Sequence, residues 1–235
     1  MLKQMDFVRG YSDLRSERIP EIQVQIDDIL SFFGAVTPMN GFRKKHTMQV
    51  LFAVQGLAIQ LYMRMKHYCW MPRPADFAHE VQPIIQTPDH SSFPAGHAVE
   101  AFAIATVLHF LSDESASKDM KFTETLPMVF RVAHRIAVNR TIAGVHSPID
   151  NAAGAAMGYA LGRAIIALAT ASKDDESKHA VLAFGIASFQ EGQDFDRAWV
   201  TKTLNGSTQG NAVTAETIPL FTEHFSNARV EWGTK

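Results

Sequence analysis

A chain of 235 residues with 46% hydrophobic and 20% charged content is long enough for one sizeable core, and its formal charge is −2. That balance gives no electrostatic reason to expect binding to nucleic acid or to an anionic membrane, so any cationic site must be a local concentration of charge. A lone cysteine, Cys69, excludes an internal disulfide, and the opening "MLKQMDFVRG" lacks the basic-then-apolar pattern of a secretory leader. The expected location is cytoplasmic, or unknown if the chain is a processed product.

Apolar residues recur at helical spacing over 20–34, 43–66, 96–112, 126–138, 148–171, 178–190 and 211–226, and no stretch alternates as a strand would. The spacing predicts an all-α helical bundle in a single domain, 1–235. The run "MQVLFAVQGLAIQLYM" is short for a bilayer, and "NAAGAAMGYALGRAIIALATA" is interrupted by Arg163 and several glycines. Both read as buried helices, so the chain is not expected to be an integral membrane protein. In the second run Gly154, Gly158 and Gly162 predict a face on which a neighbouring helix packs closely. His109 and His134 fall inside apolar runs and read as core or boundary residues, and the ten methionines read as core filler.

The breaks between these runs are "MPRPADF", "QTPDHSSFPAG", "LSDESASKD", "AGVHSP" and "ASKDDES". Several hold basic or histidine residues, and loops at helix ends are where a rigid bundle carries its chemistry.

Three clusters stand out. In "KHYCWMPRP", Lys66 closes a helical run and Arg73 lies between Pro72 and Pro74, which fix an extended backbone; the plainer reading is two cations neutralising helix C-terminal carbonyls. In "SSFPAGHA", a helix starting near Gly96 would turn free N–H groups toward the loop, Gly96 would allow close approach of an anion, and His97 could exchange a proton near neutral pH. A histidine merely packed at a helix start is the alternative. In "NRTIAGVHSPID", Ser147 and Pro148 read as N-cap and first helical position, which places Asp150 at the third. There it can cap the helix, or accept the Nδ1 proton of His146 and leave Nε2 free as nucleophile or ligand.

Taken together in this order and spacing, the clusters resemble the superfamily that joins type 2 phosphatidic acid phosphatases, bacterial class A acid phosphatases and vanadium haloperoxidases. Its pattern Lys-x6-Arg-Pro, Pro-Ser-Gly-His and Ser-Arg-x5-His-x3-Asp reads here as Lys66, Arg73, Pro74; Pro94, Ala95, Gly96, His97; and Asn139, Arg140, His146, Asp150. The motif-bearing core is expected over about 43–171, with 172–235 a polar helical C-terminal extension in which Phe189, Phe195 and Trp199 offer apolar anchors. Ala95 and Asn139 both replace the family's Ser. The first change removes a hydroxyl that contacts the bound oxyanion in the family, a loss of about 1–3 kcal/mol if nothing substitutes.

The resemblance implies that Lys66, Arg73, Arg140 and the Gly96 amide bind a tetrahedral oxyanion. In a haloperoxidase, vanadate would sit on Nε2 of His146 as the cofactor, hydrogen peroxide and a halide, bromide foremost, would be the substrates, and Lys66 would polarise bound peroxide. In a phosphatase, with no cofactor, His146 would attack a phosphate monoester or lipid phosphate to form a phosphohistidine, Asp150 would hold its tautomer, and His97 would protonate the leaving alcohol. The short gaps between motifs favour the phosphatase. The loop "QPIIQTPDHSSFPAGHA" resembles bacterial haloperoxidase-like members, and His90, a halide-tuning candidate there, tips the reading to haloperoxidase. His90 could equally be a surface histidine, and Asp89 beside it could tune that ring or cap a turn. An inactive anion-binding bundle is a third class, and a homo-oligomer is possible.

Overall fold

The computed structural model describes residues 2–113, 120–122, 125–170, 179–183, 189–206, 208–213 and 218–234. In chain order these hold α1 (Leu2–Tyr11), α2 (Arg15–Val24), α3 (Leu30–Gly34), α4 (Lys45–Cys69), α5 (Pro74–Phe77), α6 (Gly96–Ser112), α7 (Met128–Ile142), α8 (Pro148–Ala169), β1 (His179–Ala183), α9 (Arg197–Asn205), β2 (Thr208–Val213) and α10 (Pro219–Trp232). The architecture is all-α, with one short antiparallel strand pair beside the bundle.

Helix α6 is apolar on every side, so it can be stable only if surrounded, and α4, α7 and α8 pack around it. Its closest neighbour is α8, where the glycine face does what the spacing predicts. A Cβ added at Gly154 would lie 2.6 Å from the Ala95 carbonyl oxygen, at Gly158 2.2 Å from that of Val99, and at Gly162 2.5 Å from Cβ of Thr106. Helix α8 is long and apolar enough to cross a membrane, and most of that stretch is buried inside the protein. Gly158→Ala is expected to lower stability by about 1–3 kcal/mol through overpacking. Urea denaturation checks this, and an unchanged midpoint would contradict the close approach of α6 and α8.

Three expectations are corrected. The run 20–34 is two helices, because the Asp28 carboxylate accepts the Ser31 amide at 3.0 Å and starts α3 afresh. The run 178–190 is not a helix where it is described: 179–183 forms β1, pairing with β2 from His179 opposite Val213 to Ala183 opposite Thr208. That pairing also takes the start of the predicted 211–226 helix, and α10 begins only at Pro219. The segment 172–235 is therefore not purely helical. Helices α1 and α9 were not predicted; Asp196 caps the latter by accepting the Trp199 amide at 2.7 Å.

The C-terminal segment packs on the bundle. Glu231 of α10 accepts the amides of His46 and Thr47 at 2.8 and 2.9 Å, which satisfies the free N–H groups at the start of α4. Phe189, Phe195 and Trp199 are buried in the core around Phe102. His109 packs against Phe122 and Phe130, and His134 stacks on Phe195.

Candidate active site

Helix α4 ends with Trp70 in the left-handed region (φ 42°), and Pro72 and Pro74 then hold the chain extended, so Lys66 and Arg73 leave the same helix end in fixed directions. The buried Lys66 Nζ donates to the main-chain oxygens of Ser91 and Ser92 at 2.7 and 3.0 Å. Arg73 donates to Pro88 O at 3.1 Å, Val145 O at 3.0 Å and His90 O at 3.2 Å. Both cations hold the loop before α6, and Arg73 also ties it to the loop before α8.

Those loops converge because their helices start together. The Ala95 amide donates to Asp150 O at 3.0 Å, and Gly96 lies under the Tyr62 ring, where a Cβ would come within 2.8 Å of it. Ala95 provides no side-chain cap to α6. The amides of Gly96 and His97 make no hydrogen bond among the described residues, leaving an anion-attracting helix start. Helix α7 delivers Arg140 from its last turn, and Gly144 at φ +81° reverses the chain so that His146 follows within one loop.

His146 and Asp150 meet through a third residue absent from the sequence prediction. Asp150 Oδ2 accepts from the Ser147 amide at 2.9 Å and from the Ser92 hydroxyl at 2.8 Å, while His146 Nδ1 lies 3.2 Å from Ser92 Oγ and 3.4 Å from that carboxylate. With the Ser92 proton on Asp150, its oxygen is free to accept Nδ1–H of His146, and Nε2 is left with its lone pair. Burial holds His146 below the usual imidazole range, Asp150 only partly opposing it, so the ring is neutral. Burial alone would raise Asp150, but its hydrogen bonds, that of His146 foremost, hold it below the ordinary carboxylate value.

Carboxylates act on the cations only from beyond contact distance, Asp150 on Lys66 and Arg73 and Glu21 on Arg140. Among the described residues no carboxylate forms an ion pair with Lys66, Arg73 or Arg140, although all three are nearly inaccessible to solvent. Nε and Nη1 of Arg140 have no hydrogen-bond partner. Buried unpaired charge is costly, and a multiply charged oxyanion would satisfy these donors at once. Burial, and then Arg73, push Lys66 down to about 7; burial lowers Arg140 to about 10. Lys66 therefore loses its charge progressively as pH rises through about 7. Affinity for tungstate, whose own charge is constant over this range, is expected to fall by up to about tenfold per pH unit above about pH 7. Calorimetric titration checks this, with a flattened profile in Lys66→Arg; equal slopes would contradict the assignment.

His97 is brought within electrostatic reach of Arg140, His146 and Lys66, but its Nε2 is engaged by the main-chain oxygen of Gln25 at 2.8 Å. Burial, then Arg140, push it down to about 3. His90 reaches the group through Arg73, whose Nη2 is 3.2 Å from His90 Nδ1, and it borders an open cleft of about 400 Å³ with Trp70, Met71, Asp76 and Asp89. Asn139 does not face the anion site with a hydroxyl's role. Its Nδ2 donates to Glu21 Oε1 at 2.9 Å and Gln25 Oε1 at 3.0 Å, gripping α2. Sequence reasoning missed Ser92 and Gln25. Ser92 lay inside the second cluster and could have been suspected there; nothing local marked Gln25.

No curated protein matches the chain. A family model described as the PAP2 superfamily does match, over residues 47–174. Those bounds run from the first turn of α4 past the end of α8 and enclose the lysine and arginines, both helix starts and the Ser92-bridged His146 and Asp150. The match covers more than half of the chain, and the chain belongs to the PAP2 superfamily, whose members are phosphatases or haloperoxidases.

Proposed function

We propose that the protein is a vanadate-dependent haloperoxidase-like enzyme that oxidises halide, bromide foremost, with hydrogen peroxide. The observation that carries the oxyanion reading is the set of three buried cations without carboxylate partners around a neutral His146. The orphaned Arg140 donors and the available Nε2 of His146 fit a vanadate anion. Bound there, vanadate would supply a Lewis-acidic centre that activates peroxide for two-electron oxidation of a halide.

The chain's own residues have defined tasks. Lys66, Arg73, Arg140 and the Gly96 amide hold oxyanion charge in a site of low dielectric, where fixed donors need no reorganisation. Burial keeps His146 neutral, and Ser92, held by Asp150, engages its Nδ1 so that Nε2 keeps its lone pair. His90, whose pKa is lowered by burial and then by Lys66 and Arg73, lies on the cleft side of Arg73. This placement is the reason for preferring halide oxidation. His90→Ala is expected to lower kcat/KM for bromide by about tenfold, the worth of one hydrogen bond to a charged group, with aryl phosphate hydrolysis within about twofold of wild type. Equal effects on both reactions would remove the preference.

A phosphatase is the second reading, favoured by the same neutral His146: Nε2 could attack phosphorus and form a phosphohistidine, the departing alcohol taking its proton from solvent, because the expected donor His97 is neutral and gives its N–H to the Gln25 main-chain oxygen. A paired assay on one metal-stripped preparation separates them. Bromination of an activated diketone with orthovanadate, peroxide and bromide, with negligible hydrolysis of an aryl phosphate, supports the haloperoxidase. Hydrolysis that orthovanadate inhibits, without bromination, replaces it by the phosphatase. Anion binding with turnover of neither substrate would make the protein an inactive anion-binding bundle.

A further inference from the structure

The N-terminal segment carries no motif, yet one of its residues is at the centre of the site. Gln25, the C-cap of α2, is wholly buried. Its Nε2 donates to Glu21 Oε1 at 3.0 Å; a carboxylate only accepts, so the amide is turned with Oε1 toward α7. There Oε1 accepts from Arg140 Nη2 at 3.0 Å and Asn139 Nδ2 at 3.0 Å, and the neighbouring Ile22 carbonyl accepts from the same Nη2 at 3.3 Å. Glu21 is itself clamped by Arg135, at 2.6 Å to Nη2 and 2.8 Å to Nε. One end of the Arg140 guanidinium is thus fixed by α2, while Nε and Nη1 stay unpartnered. The main-chain oxygen of Gln25 meets His97 Nε2 at 2.8 Å. A carbonyl oxygen cannot donate, so Nε2 must carry the proton, and Nδ1 of His97 makes no hydrogen bond among the described residues.

We propose that Gln25 is a positioning residue of the oxyanion site: its side-chain carbonyl orients Arg140 so that Nε and Nη1 face the anion, and its main-chain carbonyl fixes His97 as the Nε2–H tautomer, leaving Nδ1 with its lone pair. The Asn139 replacement belongs to the same device, since its amide supplies a donor to Gln25 that a serine would be too short to give. This inference rests on the oxyanion reading above.

The test is a double-mutant cycle read by calorimetric titration of orthovanadate into the full chain. Gln25→Met keeps the side chain's length but removes the acceptor, and it is expected to weaken binding by about tenfold. In an Arg140→Lys background, which keeps the charge but loses the guanidinium geometry, Gln25→Met is expected to weaken binding no further, because its effect runs through Arg140. Binding by Gln25→Met within about twofold of wild type, or losses that add in full, overturns the positioning role. Nitrogen-15 NMR of the wild-type imidazoles needs no variant: an Nε2–H form of His97 near neutral pH is expected, and an Nδ1–H form overturns the tautomer. A wild-type chain that takes up no orthovanadate fails the oxyanion reading itself, whereas one that binds it with Gln25→Met unaffected fails this inference alone.

Discussion

Replacing His146 by alanine is expected to lower kcat/KM by about 10³-fold or more, whichever reaction the protein runs. The reason is that Nε2 of His146 is the group on which both chemistries converge, as oxyanion ligand or as nucleophile. Neither His97 nor His90 can take over: His97 is committed to Gln25 and His90 lies beyond Arg73. The same substitution leaves the cations in place, so residual anion affinity is expected while turnover is lost. That separation distinguishes removal of the central group from collapse of the pocket. Far-ultraviolet circular dichroism and kcat/KM on the same preparation check it, and near-normal turnover by a folded His146→Ala would contradict the assignment.

Asp150→Ala is expected to be the next most damaging change, and it acts on stability as well as on rate. One buried carboxylate oxygen serves the α8 N-terminus through Ser147, the Ser92 hydroxyl and the His146 ring. Its removal strands the Ser147 amide and the Ser92 proton and releases the tautomer of His146. Loss of the cap and of a buried acceptor sums to about 2–4 kcal/mol. Loss of the oriented imidazole is expected to reduce kcat/KM by about 10²–10⁴-fold. Asp150→Asn separates the two effects, because an amide oxygen in the Oδ2 position can still accept from both the Ser147 amide and the Ser92 hydroxyl but lacks the negative charge that strengthens the Ser92 and His146 hydrogen bonds. Stability close to wild type with turnover still depressed is expected from Asn; wild-type turnover in Asp150→Asn would contradict the relay. Urea denaturation and initial rates measure both.

Much of the frame was legible because it is local. The α6 bounds follow from Pro94, Gly96 and an unbroken apolar run, and the start of α8 follows from Ser147 and Pro148. The glycine face of α8 was readable because four-residue spacing maps directly onto one side of a helix. Lys66, Arg73, His97, Arg140, His146 and Asp150 could be singled out because charge and titratable rings at helix ends are conspicuous. What escaped the sequence depends on distant partners. Gln25 is an ordinary polar residue in a polar stretch until α7 packs on α2, and the Ser92 bridge exists only once two helix starts are brought together. The β1 segment reads as helical by spacing, and its strand state is set by pairing with residues far along the chain, where context overrides propensity.

The most direct test of a single oxyanion site centred on His146 is calorimetric titration of orthovanadate into the metal-stripped wild-type chain, repeated in the presence of inorganic phosphate and with Arg140→Met. The expected result is one anion per chain, competed by phosphate and strongly weakened by Arg140→Met. No binding, or binding indifferent to both phosphate and Arg140, would contradict it.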